Sequence, residues 1–208
     1  MSSSFITQFS RRPRPLRPHQ RSQIAIERRL VLPLDTHHWI RALEVLNAGY
    51  AKEGVKAEHY QRVFRDMVVN ASPHRFHDLS RVLDAVRDRM YERSVPANVS
   101  LWITVIWSYC QFRMPREAMD SVVQLSNRHH LSDATKSQIA NLLLPLLSQH
   151  GMVADVEAAT ELLIPEALRG SMDIQKWITM SRIRAGDWEA ALNVGRHSLP
   201  EKKDHTHR

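Results

Sequence analysis

Cysteine occurs once in this 208-residue chain, at Cys110, and glycine only six times. A single thiol excludes an internal disulfide framework and any multi-cysteine zinc or iron–sulfur site, and it fits a reducing compartment. So little glycine leaves few of the turns that a sheet protein needs, whereas Ala, Leu, Arg, Glu and Met recur, so an all-α fold is expected. Membrane-length apolar runs are missing too. The stretch VSLWITVIWSYC (99–110) offers twelve uncharged residues where a bilayer span needs about 20, so no membrane insertion is expected. With six scattered glycines there is no Gly-rich phosphate loop and no Gly-x-Ser-x-Gly elbow, nor is there a His-Glu-x-x-His pair. The chain is therefore expected not to be an enzyme and to take neither a cofactor nor a small-molecule substrate.

Acidic residues are absent before Glu27. Arg11, Arg12, Arg14, Arg17, Arg21, Arg28 and Arg29 stand against that one carboxylate, which places six of the seven net positive charges in residues 1–29. Residues 30–208 carry 22 basic and 21 acidic side chains and are nearly neutral. An Arg-rich, Ser-rich, acid-poor start has the character of a mitochondrial targeting segment. Pro13, Pro15 and Pro18 oppose a continuous helix through it and favour an extended arm suited to a phosphate backbone. Residues 1–34 are accordingly expected to form a basic tail, as a targeting peptide, an RNA-binding arm or both. Its seven arginines are the candidate RNA contacts.

From Asp35 onward apolar residues recur at helical spacing. Helices are expected over 36–54, opening on a Thr36 cap, and over 57–71 and 76–94. They continue over 99–112, from Pro115 to His130, over 132–151 with Pro145 as a kink, and over 154–164, 172–186 and 187–199. The helix at 99–112 is apolar around most of its circumference, which implies burial between neighbours. A strand through VSLWITVIW is the alternative that periodicity leaves open. Residues 35–199 thus read as one helical domain, with 200–208 as a polar C-terminal end.

The junctions FRMPREAM (112–119), HGMVADVEAA (150–159) and AGDWEAAL (185–192) share a break followed by an acidic residue and an Ala that enters a second helix. Aligning Ala118, Ala158 and Ala191 gives spacings near the period of helical-hairpin repeats, about 34 residues. Residues 100–119 resemble the start of a pentatricopeptide repeat. Tyr109-Cys110 fall where that family has Tyr-Cys near the end of its first helix, and Glu117-Ala118-Met119 fall on its Glu-Ala-Leu. Arg184-Ala185-Gly186 is similar to its Lys-Ala-Gly turn. The resemblance implies an α-solenoid of about four hairpins behind the extended basic tail. Where the family's base-reading repeats carry Asn, Ser or Thr, this chain carries Ile103, which cannot hydrogen-bond a base edge. A fold kept without its RNA code is similar to helical-repeat components of kinetoplastid mitochondrial ribosomes. That likeness implies a scaffold or assembly subunit of the mitochondrial matrix whose partners are rRNA and protein subunits of a large assembly. The alternatives are an RNA-processing or editing factor and a protein–protein adaptor in a respiratory or import complex.

Twelve histidines invite a metal reading. Adjacent side chains on a helix diverge by about 100°, so His37-His38 and His129-His130 make poor chelates, and His74 with His77 lacks a third ligand. Cys110, inside an apolar helix, is expected to be a core residue with a raised pKa. Trp39, Trp102, Trp177 and Trp188 are expected in the core. Trp107 is the candidate protein-interface residue, because a helix apolar on every side can face a partner.

Overall fold

The computed structural model describes residues 18–35, 37–53, 55–92 and 97–197. Among them there are ten α-helices and no strand: α1 (Pro18–Asp35), α2 (Trp39–Glu53), α3 (Ala57–Asn70), α4 (Phe76–Tyr91), α5 (Val99–Gln111), α6 (Pro115–Arg128), α7 (Asp133–Gln149), α8 (Val153–Leu163), α9 (Met172–Ala185) and α10 (Trp188–His197). The fold is all-α and compatible with an α-solenoid. Each even-numbered helix except α4 lies against its predecessor, and α3, α5, α7 and α9 form a contiguous layer. No described helix is long and apolar enough to cross a membrane.

Local chemistry sets several starts. Asn98 accepts the Leu101 N–H at 2.8 Å, Ser132 Oγ accepts that of Thr135 at 3.3 Å, and Pro115 sits in the first turn of α6, where it needs no donor. The helix at 99–111 replaces the strand alternative and is buried as expected: Leu101, Trp102, Val105, Ile106 and Tyr109 are each 0% exposed. It packs on α3, α4, α6 and α7. Burying each large side chain there is worth about 1.5–3 kcal/mol.

Two expectations need correction. Residues 18–34, read as part of an extended tail, form a helix that packs on α2. Ile26, Leu30 and Leu34, four residues apart, are buried in the core. Pro18 starts that helix rather than breaking it, since a first-turn proline lacks only a donor that would be unpaired there. The helix expected from Thr36 begins instead at Trp39, and Thr36 lies outside the described residues.

Between paired helices one turn recurs. His37, Arg113, Gly151 and Gly186 have φ of 53, 56, 67 and 84°, in the left-handed region. In each case the left-handed residue's N–H reaches a carbonyl three residues back, and the next N–H reaches one five back, as in Met114 to Tyr109, Met152 to Leu147 and Asp187 to Arg182. This is a Schellman closure, and the following helix starts two residues beyond it every time. The left-handed residues lie 38 apart between 113 and 151, 35 apart between 151 and 186, and twice 38 apart between 37 and 113. The place in between, Arg75, instead ends a short 3-10 turn, Pro73–Arg75.

Five positions past these points stand Ala42, Ser80, Ala118, Val156 and Ala191, all buried. The alignment of Ala118 with Ala158 is therefore two residues out of register, and Val156 is the structural equivalent. Non-glycine residues in the left-handed conformation carry strain of about 1 kcal/mol. Arg113→Gly is thus expected to stabilise the fold by up to about 1 kcal/mol, read by circular dichroism as a higher urea midpoint. A lower midpoint would mean that the Arg113 side chain contributes more than the strain it imposes.

Candidate interaction face

The turn positions give a frame for the odd-numbered helices. Six residues before each stand Val31, Val69, Trp107, Pro145 and Met180, and ten before stand Glu27, Arg65, Ile103, Asn141 and Lys176. Residues four apart share a helix face, so each pair lies on one side of its helix. None of the ten is buried. The first set is apolar throughout, from α1 to α9.

Where α3, α5 and α7 meet, this face sinks into a hollow of about 610 Å³. Arg65 and Val69 come from α3, Ile103, Thr104 and Trp107 from α5, and Gln138, Asn141 and Leu142 from α7. On α5, between Leu101 and Cys110, Ile103, Trp107 and Cys110 are the residues left partly open, and the others are buried. The hollow can seat apolar side chains over Ile103, Leu142 and the Trp107 ring, with the Arg65 guanidinium and two amides at its edge.

Beside the hollow, the polar groups brace the fold. Tyr109 donates to Asp84 Oδ1 at 2.7 Å; burial first, and then this bond, hold its phenol far above the ordinary range. Arg87 lies 3.5 Å from the same carboxylate and 5.6 Å from the Tyr109 ring. Arg128 of α6 donates to the carbonyls of Met90 and Tyr91 at 3.0 and 3.2 Å, satisfying the C-terminal end of α4. These contacts tie α4, α5 and α6 together. Burial pushes the Cys110 thiol up to about 12, so it is protonated at neutral pH and is a poor nucleophile. Among the described residues no three His, Cys, Asp or Glu side chains converge.

Of the candidate RNA contacts, Arg11, Arg12, Arg14 and Arg17 lie outside the described residues, and Arg21 belongs to α1 without a described side chain. Arg28 and Arg29 are exposed on α1. Trp107 is half-buried in the hollow, whereas Trp39 and Trp102 are 2% and 0% exposed and Trp177 packs against the core. Trp188 corrects the core expectation: it is 62% exposed, because α10 is the last described helix and nothing described covers that side. Arg65, Val69 and Asn141 were not anticipated. Finding them requires the turn frame, which two non-glycine turn residues hide.

No protein-family model, curated protein or solved structure matches this chain.

Proposed function

We propose that this chain is a non-catalytic helical-repeat scaffold of a mitochondrial ribonucleoprotein, above all the ribosome, built as an α-solenoid of about four hairpins. In this reading it docks protein neighbours through the odd-helix face and rRNA through Arg11, Arg12, Arg14, Arg17, Arg21, Arg28 and Arg29. One observation carries the reading. At the place where a base-reading repeat needs a hydrogen-bonding group, α5 offers Ile103, beside Val69, Trp107 and Leu142, although the equivalent positions of α1, α3, α7 and α9 carry Glu27, Arg65, Asn141 and Lys176. An aliphatic and aromatic lining suits protein side chains better than base edges. The near-neutral charge of residues 30–208 leaves phosphate attraction to the N-terminal arginines.

Deleting residues 1–29 would remove the buried Ile26, so the test replaces Arg11, Arg12, Arg14 and Arg17 by Gln and supplies a separate import signal. The full chain is expected to co-sediment with a ribosomal subunit, and the variant to dissociate at lower salt. The slope of log K against log salt should fall by about 0.7–0.9 for each phosphate that the variant no longer neutralises. Migration of the wild-type chain as a small free species, with no nuclease-sensitive partner, would sink the proposal.

A further inference from the structure

Another hollow, of about 410 Å³, lies where α6 gives way to α7. Ser126 and Arg128 come from α6, His129, His130 and Leu131 from the link that follows, and Lys136 from the start of α7. Lys136 and His129 are half-buried and His130 is exposed. No carboxylate is among the described residues that line the hollow. Asp133 of α7 and Glu161 of α8 stand close to lining residues in sequence, and neither is part of the lining.

Helix electrostatics account for only part of this charge. Cations are favoured at a helix C-terminus, which suits Arg128 and the two histidines after α6. Lys136 stands at the opposite end of its own helix, where its N–H makes an early helical bond to the Ser132 carbonyl and the macrodipole disfavours a cation. Arg128 donates to the carbonyls of Met90 and Tyr91, but a carbonyl does not neutralise a guanidinium. None of the four basic side chains forms an ion pair among the described residues. Like charges gathered without a counter-charge repel, and an anion seated among them removes that repulsion. In the same lining, the Ser126 hydroxyl oxygen is buried and has no hydrogen-bond partner among the described residues, a state that costs stability until a partner arrives.

We propose that this hollow seats a phosphate of an RNA backbone. Lys136, His129 and His130 hold the anion as separate point charges, and the Ser126 hydroxyl supplies a hydrogen bond. A phosphate monoester on a protein is a dianion, for which the guanidinium fork of a free arginine is the fitting partner. Here both terminal nitrogens of Arg128 are taken by carbonyls, so the cluster suits the single charge of a diester. The near-neutral total of residues 30–208 is an average that includes this local excess. The site adds to the scaffold reading a contact in the helical body, distinct from the N-terminal arginines, and neither contact requires the other.

Fluorescence anisotropy of a labelled oligouridine with the purified full chain tests this. Lys136→Gln is expected to weaken binding about fivefold at about 0.1 M salt and to lower the slope of log K against log salt by about 0.7, the contribution of one phosphate of a single strand. Lys136→Arg keeps the charge and should bind as the wild type does. The same loss on Lys136→Gln should appear in a chain whose Arg11, Arg12, Arg14 and Arg17 are all replaced by Gln, because the two contacts are independent. Circular dichroism verifies that the variants fold. Without any substitution, the oligouridine should also slow amide hydrogen exchange across residues 126–136 of the wild-type chain. Unchanged affinity and slope for Lys136→Gln would overturn the site, and loss of binding in the N-terminal variant alone would leave the arginine contact standing. A wild-type chain that does not bind the oligouridine overturns it as well. So does slower exchange at 126–136 with a phosphoserine peptide and not with the oligouridine, which would make the partner a phosphorylated protein.

Discussion

Replacing Trp102 by Ala is expected to cost about 3–5 kcal/mol, the largest effect expected of a single substitution in this chain. Trp102 is 0% exposed and its ring lies 5.5 Å from that of Tyr91 at a tilt of 32°, so the truncation opens a cavity between α4 and α5. The helix it belongs to packs on α3, α4, α6 and α7, and the loss is therefore felt on both sides of the stack. Because α5 links α3 and α4 to α6 and α7, weakening it also uncouples the helices before it from those after it. Urea unfolding of the variant should consequently show a lower midpoint and a broadened or divided transition, with a melting temperature lower by about 10 °C. Trp188→Ala, at 62% exposure, should stay within about 0.5 kcal/mol of wild type under the same conditions. Equal losses at the two tryptophans would mean that the burial assigned to α5 is wrong. Because the indole Nε1 of Trp102 has no hydrogen-bond partner among the described residues, Trp102→Phe should cost much less than the alanine variant.

Most of the helical domain could be read from periodicity because its packing obeys the local rules. The expected segments from 57 to 199 correspond to α3–α10 with ends differing by a few residues, since Pro, Gly and polar caps stand at the breaks. What failed was the reading of 18–34. Arginine and proline dominate that segment by count, yet its spacing of Ile26, Leu30 and Leu34 already marks one apolar face, and it is burial against α2 that holds the helix. The recurrence of the turns was harder to see. Its marker is a left-handed backbone, and at His37 and Arg113 that conformation is held by residues giving no glycine signal. Without that frame, Ile103 and Trp107 could be singled out from α5 alone, but Arg65, Val69 and Asn141 could not be joined to them. The exposure of Trp188 was likewise hidden, because an apolar helical stripe looks the same whether or not a following hairpin covers it.

Gly151→Ala should be strongly damaging for a change of one methyl group, and its comparison with Gly186→Ala separates two causes. Both glycines are left-handed, with φ of 67 and 84°, so each alanine carries backbone strain of about 1–2 kcal/mol. At Gly186 nothing among the described residues lies within 4 Å of an added Cβ, and strain is the whole cost. At Gly151 the Cβ would meet the backbone N of Ala185 and the backbone C of Arg184, both at 3.1 Å. Those atoms belong to the last turn of α9 and cannot swing away as a side-chain tip could. Relief requires the turn joining α7 and α8 to move off α9, along the contact through which α7 and α8 hold the final hairpin. Gly151→Ala is therefore expected to lose about 2–4 kcal/mol, against about 1 for Gly186→Ala, by chemical denaturation of the full chain. The excess should appear as early loss of α9 and α10, read as faster amide hydrogen exchange there than in α5 and α6. If the two alanines cost the same, the close approach of the 151 turn to α9 is not a feature of the folded chain, and the docking of the last hairpin would need another support.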